Sequence, residues 1–275
     1  MMKPFLIYLV CSILLVSSRK GNSYYSERQI FENKVSQDAN LKSIDQNDTL
    51  LNNIQQKVMN AFVKDQISQS DKDMIALELA LSNLNKDKNN DIVTYWYSYT
   101  CYYHSILYMI RKENKNSEKK LYEGIKKLND VNLKNSEHYA LLSLMEGFSI
   151  QFASVIEVPH ISKRSKQNAE KALQLDSLNL RAYYVLGSND FYTPEQYGGN
   201  KKAEGYLLKA IRLNDQSDSN SYLPGWGKDS AYELLIRLYI NRKQFVEAKR
   251  YYKEAFALFP DNHMINKLAD EITNY

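Results

Sequence analysis

The chain is short of the residues that make tight turns. Nine glycines and five prolines in 275 residues are about 3% and 2%, against usual shares of roughly 7% and 5%. A many-stranded sandwich or barrel needs such residues at close intervals, so that class is excluded. Glycine loops of the kind that cradle phosphate are equally ill-provided. Cysteine appears twice, as Cys11 and Cys101, without a CxxC pair, which leaves neither a zinc site nor a disulfide framework. The 36 basic and 32 acidic residues are interleaved, with a formal charge of +4. The chain therefore lacks the basic field of a nucleic-acid binder. His104, His138, His160 and His263 are scattered, with no metal-ligand spacing. What remains, 44% hydrophobic and 25% charged residues, is the ordinary make-up of a globular protein. Few breakers and ample apolar residues predict long helices.

The first segment reads as an address. Met1–Lys3 carry a positive charge, Phe5–Val16 form a 12-residue apolar run, and Ser17–Ser18 follow. A membrane-spanning helix needs about 20 apolar residues, so the run suits the core of a secretory signal peptide over residues 1–18. An uncleaved anchor is the alternative. Val10 stands where a lipobox would place a small residue before Cys11, so Cys11 belongs to the signal core. Cleavage leaves Cys101 as the sole thiol. The expectation is an exported protein, periplasmic or secreted. Residues 19–48 are polar with scattered apolar positions, and read as a mostly disordered linker. The repeat domain is expected over 49–275.

A 34-residue unit organises that domain. In Asp229–Asn262, Tyr232, Leu235, Tyr239, Ala248, Tyr252, Ala255 and Pro260 fall at unit positions 4, 7, 11, 20, 24, 27 and 32. Tyr232, Leu235, Ile236 and Tyr239 make one helical stripe. Ala248, Tyr252 and Ala255 make a second, with Pro260 as its stop. Ser230–Glu233 has the form of a capping box at the start. Two helices joined by a short turn make an antiparallel hairpin, whose bare apolar flank only a neighbouring hairpin covers. A preceding unit carries Tyr183, Leu186 and Gly187 at positions 4, 7 and 8, then Ala203, Leu207 and Ala210, with four residues inserted around Thr193–Gly199. Weaker units begin at Tyr139 and at Trp96, a helical pair covers roughly 50–84, and Met264–Ile272 reads as a capping helix.

This pattern resembles the tetratricopeptide repeat (TPR) over about 180 residues. The resemblance implies an all-α, right-handed superhelical solenoid of about five antiparallel helix hairpins with a C-terminal capping helix. It implies a non-enzymatic scaffold that binds a protein or peptide partner in the concave groove, with no cofactor, metal or nucleic acid. A narrower likeness lies in Arg181–Gly187, Tyr197–Ala203 and Leu207–Ile211, which look like periplasmic TPR proteins similar to the T component of TRAP transporters. That likeness implies the alternative, an accessory that docks a solute-binding protein or holds a small-molecule ligand.

In the repeat frame, concave positions 2, 5 and 9 are Arg181, Tyr184, Ser188 and Ser230, Glu233, Arg237. With Trp96 at position 4, Tyr97, Cys101 and His104 fall on the same side. Tyr97, Arg181, Tyr184, Glu233 and Arg237 are the candidate partner-binding residues. Cys101 and His104 are three apart on one helical face, where a histidine can generate a thiolate. No oxyanion donors or orienting carboxylate accompany them, so no catalytic site is expected. Asp215, Asp218 and Asn220 lack the glycine and terminal glutamate of a calcium loop and read as a polar linker. That linker ends in Leu223-Pro-Gly-Trp-Gly227, with Trp226 either tucked against the repeats, the reading taken here, or displayed for a partner.

Overall fold

A computed structural model of the chain describes residues 49–88, 90–218 and 220–273. The signal segment, the 19–48 linker, Cys11 and the side chain of Asp218 lie outside the described residues. Among those described there is no strand.

Five helix pairs follow one another: α1 (Ile54–Ser68) with α2 (Lys72–Lys88), α3 (Asp91–Ile110) with α4 (Asn114–Asn129), α5 (Ser136–Ser149) with α6 (Val158–Leu175), α7 (Leu180–Tyr192) with α8 (Ala203–Arg212), and α9 (Lys228–Asn241) with α10 (Phe245–Leu258). The expected capping helix is two short ones, α11 (His263–Asn266) and α12 (Leu268–Thr273). They bury Ile265, Leu268 and Ile272 against the last pair. Each helix packs on the next, and α1, α3, α5, α7 and α9 also touch one another in series. The connections within most pairs are short, so paired helices are antiparallel and the odd-numbered row runs in one direction.

Local chemistry explains the repetition. Three of the turns within pairs are built alike. Gln69, Lys112 and Lys243 each have φ near 60°. The residue after each returns its N–H five positions back, Ser70 to Asp65, Glu113 to Tyr108 and Gln244 to Tyr239, at 2.8–3.0 Å. These are Schellman-type closures made without glycine, consistent with a glycine-poor sequence. Asparagines cap α3, α5 and α7: Asn90, Asn135 and Asn179 accept from the N–H of Ile92, His138 and Ala182. The capping box expected at Ser230–Glu233 is not formed. Helix α9 begins earlier, at Lys228, after Gly227 with φ 103°, so Ser230 lies inside it.

Small residues mark where paired helices approach most closely. Ser105 and Ser117 each donate to the other's backbone carbonyl, at 2.8 and 2.7 Å. Ser143 and Ser165 do the same at 2.6 and 2.8 Å. At the corresponding place Gly187 meets Leu207, whose side chain would stand 2.8 Å from an added Cβ. Ser143 and Gly187 occupy position 8 of their units, and Ser105 is their equivalent. The second unit is thereby re-registered: Cys101, not Trp96, stands at position 4, a shift of five residues. Helix α3, at 20 residues, extends further toward its N-terminus than its counterparts, and the aromatic run on that extension imitates the stripe of a unit.

Candidate functional site

The re-registration moves the candidates of α3. Cys101 and His104 take apolar-stripe positions and are fully buried. Burial pushes the Cys101 thiol well above its ordinary range, which opposes thiolate formation. His104 Nδ1 lies 2.7 Å from Glu78 Oε1, and its ring stacks on Tyr108 at 4.5 Å. Tyr97 is half-buried and faces α4, where its hydroxyl donates to Glu123 and Lys127 Nζ sits 5.9 Å above its ring. None of the three lines the concave side, because the frame that placed them there was displaced.

Arg181 also departs from expectation. It is 1% exposed and too deep to meet a partner. Its guanidinium grips Glu137 through two bonds, at 2.5 and 3.0 Å, and reaches Asp215 Oδ1 at 3.3 Å. Asn179 and Gln216 also donate to Glu137. Position 2 of this unit is covered because the segment between α8 and α9 folds back over it.

That segment, described over 213–218 and 220–227, runs along the N-terminal ends of the odd-numbered helices. Trp226 is tucked in, as expected: its indole N–H donates to Tyr95 at 2.6 Å, and its ring lies 6.2 Å from both Tyr99 and Tyr184. Trp96 donates to the Tyr222 carbonyl at 2.8 Å. Asp215 serves as a ligand of Arg181, and Asn220 Oδ1 accepts from the Tyr222 N–H.

Below this segment aromatic side chains gather along the odd-numbered row. Asp229 on α9 adds to the burial that raises the phenols of Tyr99 and Tyr103 on α3, although α5 and α7 stand between them in the row. The row is bent, since Gly225, just before α9, bonds Gln55 on α1 at 2.8 Å. Its inner wall carries an unbroken series of ring contacts: Phe62 with Tyr103 at 5.4 Å, Tyr103 with Tyr102 at 5.4 Å, Tyr102 with Phe148 at 5.2 Å, and Phe148 with Phe152 at 6.2 Å. Edge-to-face pairs of this kind hold rings at fixed angles.

Across from that wall stand Tyr184 and Tyr192 on α7 and Glu233 and Arg237 on α9. Burial raises the phenols of Tyr102, Tyr184 and Tyr192. Burial is the main cause for Tyr184, and Tyr102, Tyr192 and the Glu233 carboxylate add to its shift. None of the three hydroxyls has a hydrogen-bond partner among the described residues, and Tyr192 is 48% exposed. Arg237 pairs with Glu233 at 2.9 Å and lies 3.8 Å from Glu271. Of the candidate residues, the structure brings Tyr184, Glu233 and Arg237 together. It adds Tyr102, Tyr192 and Phe148; the last two stand at position 13 of their units, outside the concave positions 2, 5 and 9. Apolar walls with a few convergent polar groups are what binding sites are made of.

Among the described residues no group of three His, Cys, Asp or Glu side chains is arranged to hold a metal ion. No described helix is long and apolar enough to cross a membrane. The molecule is thus a stack of helix hairpins with an aromatic concave face. No family model and no curated protein matches the chain. Among solved structures it is similar to YrrB, described as a TPR protein with an unusual peptide-binding site, at a TM-score of 0.36 and 11% identity over 72% of this chain and 91% of that one. At that level nothing of YrrB's binding transfers to this chain.

Proposed function

We propose that the protein is an exported, non-enzymatic scaffold that receives a segment of a protein or peptide partner on the aromatic concave face of its odd-numbered helices. The observation that carries this reading is the ring series Tyr103, Tyr102 and Phe148 on the odd-numbered row, with the Arg237–Glu233 pair and a 48% exposed Tyr192 on the same row. Rigid rings supply contact area at little entropic cost, and free hydroxyls meet the amides of an extended chain. Export rests on the charged start and apolar run of residues 1–18.

A photo-crosslinking residue at Tyr192, 48% exposed, tests the reading in intact cells, with the same residue at Leu178, 63% exposed, as control. A discrete adduct at Tyr192 alone is expected. Equal labelling at both positions, or at neither, refutes it.

A second reading, a TRAP T-component-like accessory that holds a small ligand, is favoured by one observation. The segment between α8 and α9 covers the N-terminal rim, so an occupant enters end-on and does not lie across an open groove.

A further inference from the structure

We infer that the segment between α8 and α9, described over 213–218 and 220–227, forms a strap that locks the fifth hairpin onto the first two. A stack of repeats is ordinarily held by contacts between neighbours alone, and its ends fray first. Here a segment entering the last hairpin reaches the opposite end of the stack. The Ser221 hydroxyl donates to Asn52 at 2.9 Å, and the Gly225 N–H donates to Gln55 at 2.8 Å, across 169 and 170 residues. Trp226 is seated between Tyr95, Tyr99 and Tyr184, with 6% of its surface exposed.

The strap is fastened at both ends. Asp215, near its start, binds Arg181, and the Arg181 guanidinium also reaches the Trp226 carbonyl, at 3.5 Å. Lys228 returns to the Leu213 carbonyl at 3.0 Å, which closes the segment into a loop. The loop is self-packed as well. An added Cβ at Gly225 would stand 2.5 Å from the Ser217 Oγ and 2.9 Å from its Cβ. A mere linker between α8 and α9 needs none of these contacts. Together they join hairpin five to hairpins one and two, from which the stack alone would leave it apart.

Native-state hydrogen exchange on the full chain tests the strap without knowledge of any partner. Gly225→Ala forces the strap apart at Ser217 and leaves every side chain of the Trp226 seat in place. In this variant the amides of α1–α3 are expected to exchange about tenfold faster, while those of α5 and α6 keep their protection. Ser217→Gly in the same chain removes the clashing atoms and is expected to restore the original rates. Trp226→Ala is expected to reproduce the loss by a separate route. Unchanged exchange in α1–α3 overturns the proposal. So does an equal rise in every helix, which is ordinary destabilisation, and so does a double variant that fails to recover.

Discussion

The indole N–H of Trp226 donates to the hydroxyl of Tyr95 at 2.6 Å, across 131 residues of sequence. Burial, foremost, holds the Tyr95 phenol well above its ordinary range, so the hydroxyl stays neutral at any ordinary pH and is itself a donor. The pair joins the last interhairpin segment to the second hairpin, and the Arg181–Glu137–Asp215 cluster lies under the same segment.

That cluster sets the first prediction. Arg181→Met leaves Glu137 buried without its cation, and such losses cost about 3–5 kcal/mol. Urea unfolding is expected to show a lower midpoint by that measure. The double variant Glu137→Gln, Arg181→Met is expected to be less destabilised than Arg181→Met alone, because no bare charge is then left inside.

Cys101 should be inert while the chain is folded. Its thiol is raised by burial above all, so little thiolate forms even at mildly alkaline pH. Iodoacetamide labelling of the mature chain is expected to stay negligible from pH 7 to about 9, the upper end being near the ordinary thiol range, and to become rapid in denaturing urea. Fast labelling of the folded chain would show the thiol to be accessible.

The inner hydroxyls make no internal bond, so removing them should leave the fold alone. Tyr102→Phe and Tyr184→Phe are each expected to shift unfolding free energy by no more than about 0.5 kcal/mol. The same variants are expected to weaken the crosslink at Tyr192. A large stability loss would mean that the hydroxyls serve packing and not an occupant.

The paired serines offer a test of the repeat register. Ser105→Ala and Ser117→Ala are each expected to cost about 1 kcal/mol. A double-mutant cycle should return a non-zero coupling, since both hydroxyls bridge the same two helices. Additive losses would argue against the reciprocal geometry.

Much of the architecture was legible in the amino-acid order. The stripe Tyr232–Tyr239, the alanines of α10 and the position of Gly187 define the last two hairpins, because close helix approach demands small residues there. The number of hairpins follows from the same spacing. What misled was chemistry that imitates it. Trp96, Tyr99 and Tyr103 have helical spacing and lie five residues out of register, and only the Ser105–Ser117 pair reveals the true frame. Serines carry no periodic apolar signal, so sequence reading passed over them. The burial of Arg181 was equally hidden, since its cover comes from a segment 34 residues away that no local pattern connects to it. Tyr184, Glu233 and Arg237 were legible because their units were in register.

The shared direction of the odd-numbered helices has an electrical consequence. Aligned peptide dipoles gather partial positive charge where α1, α3, α5, α7 and α9 start, and partial negative charge where they finish. Glu137 and Asp229 stand in first turns, where that polarity favours carboxylates. The two ends of the odd-numbered row are therefore unlike poles. An approaching chain with unevenly distributed charge would be oriented by the field before it touches a single ring.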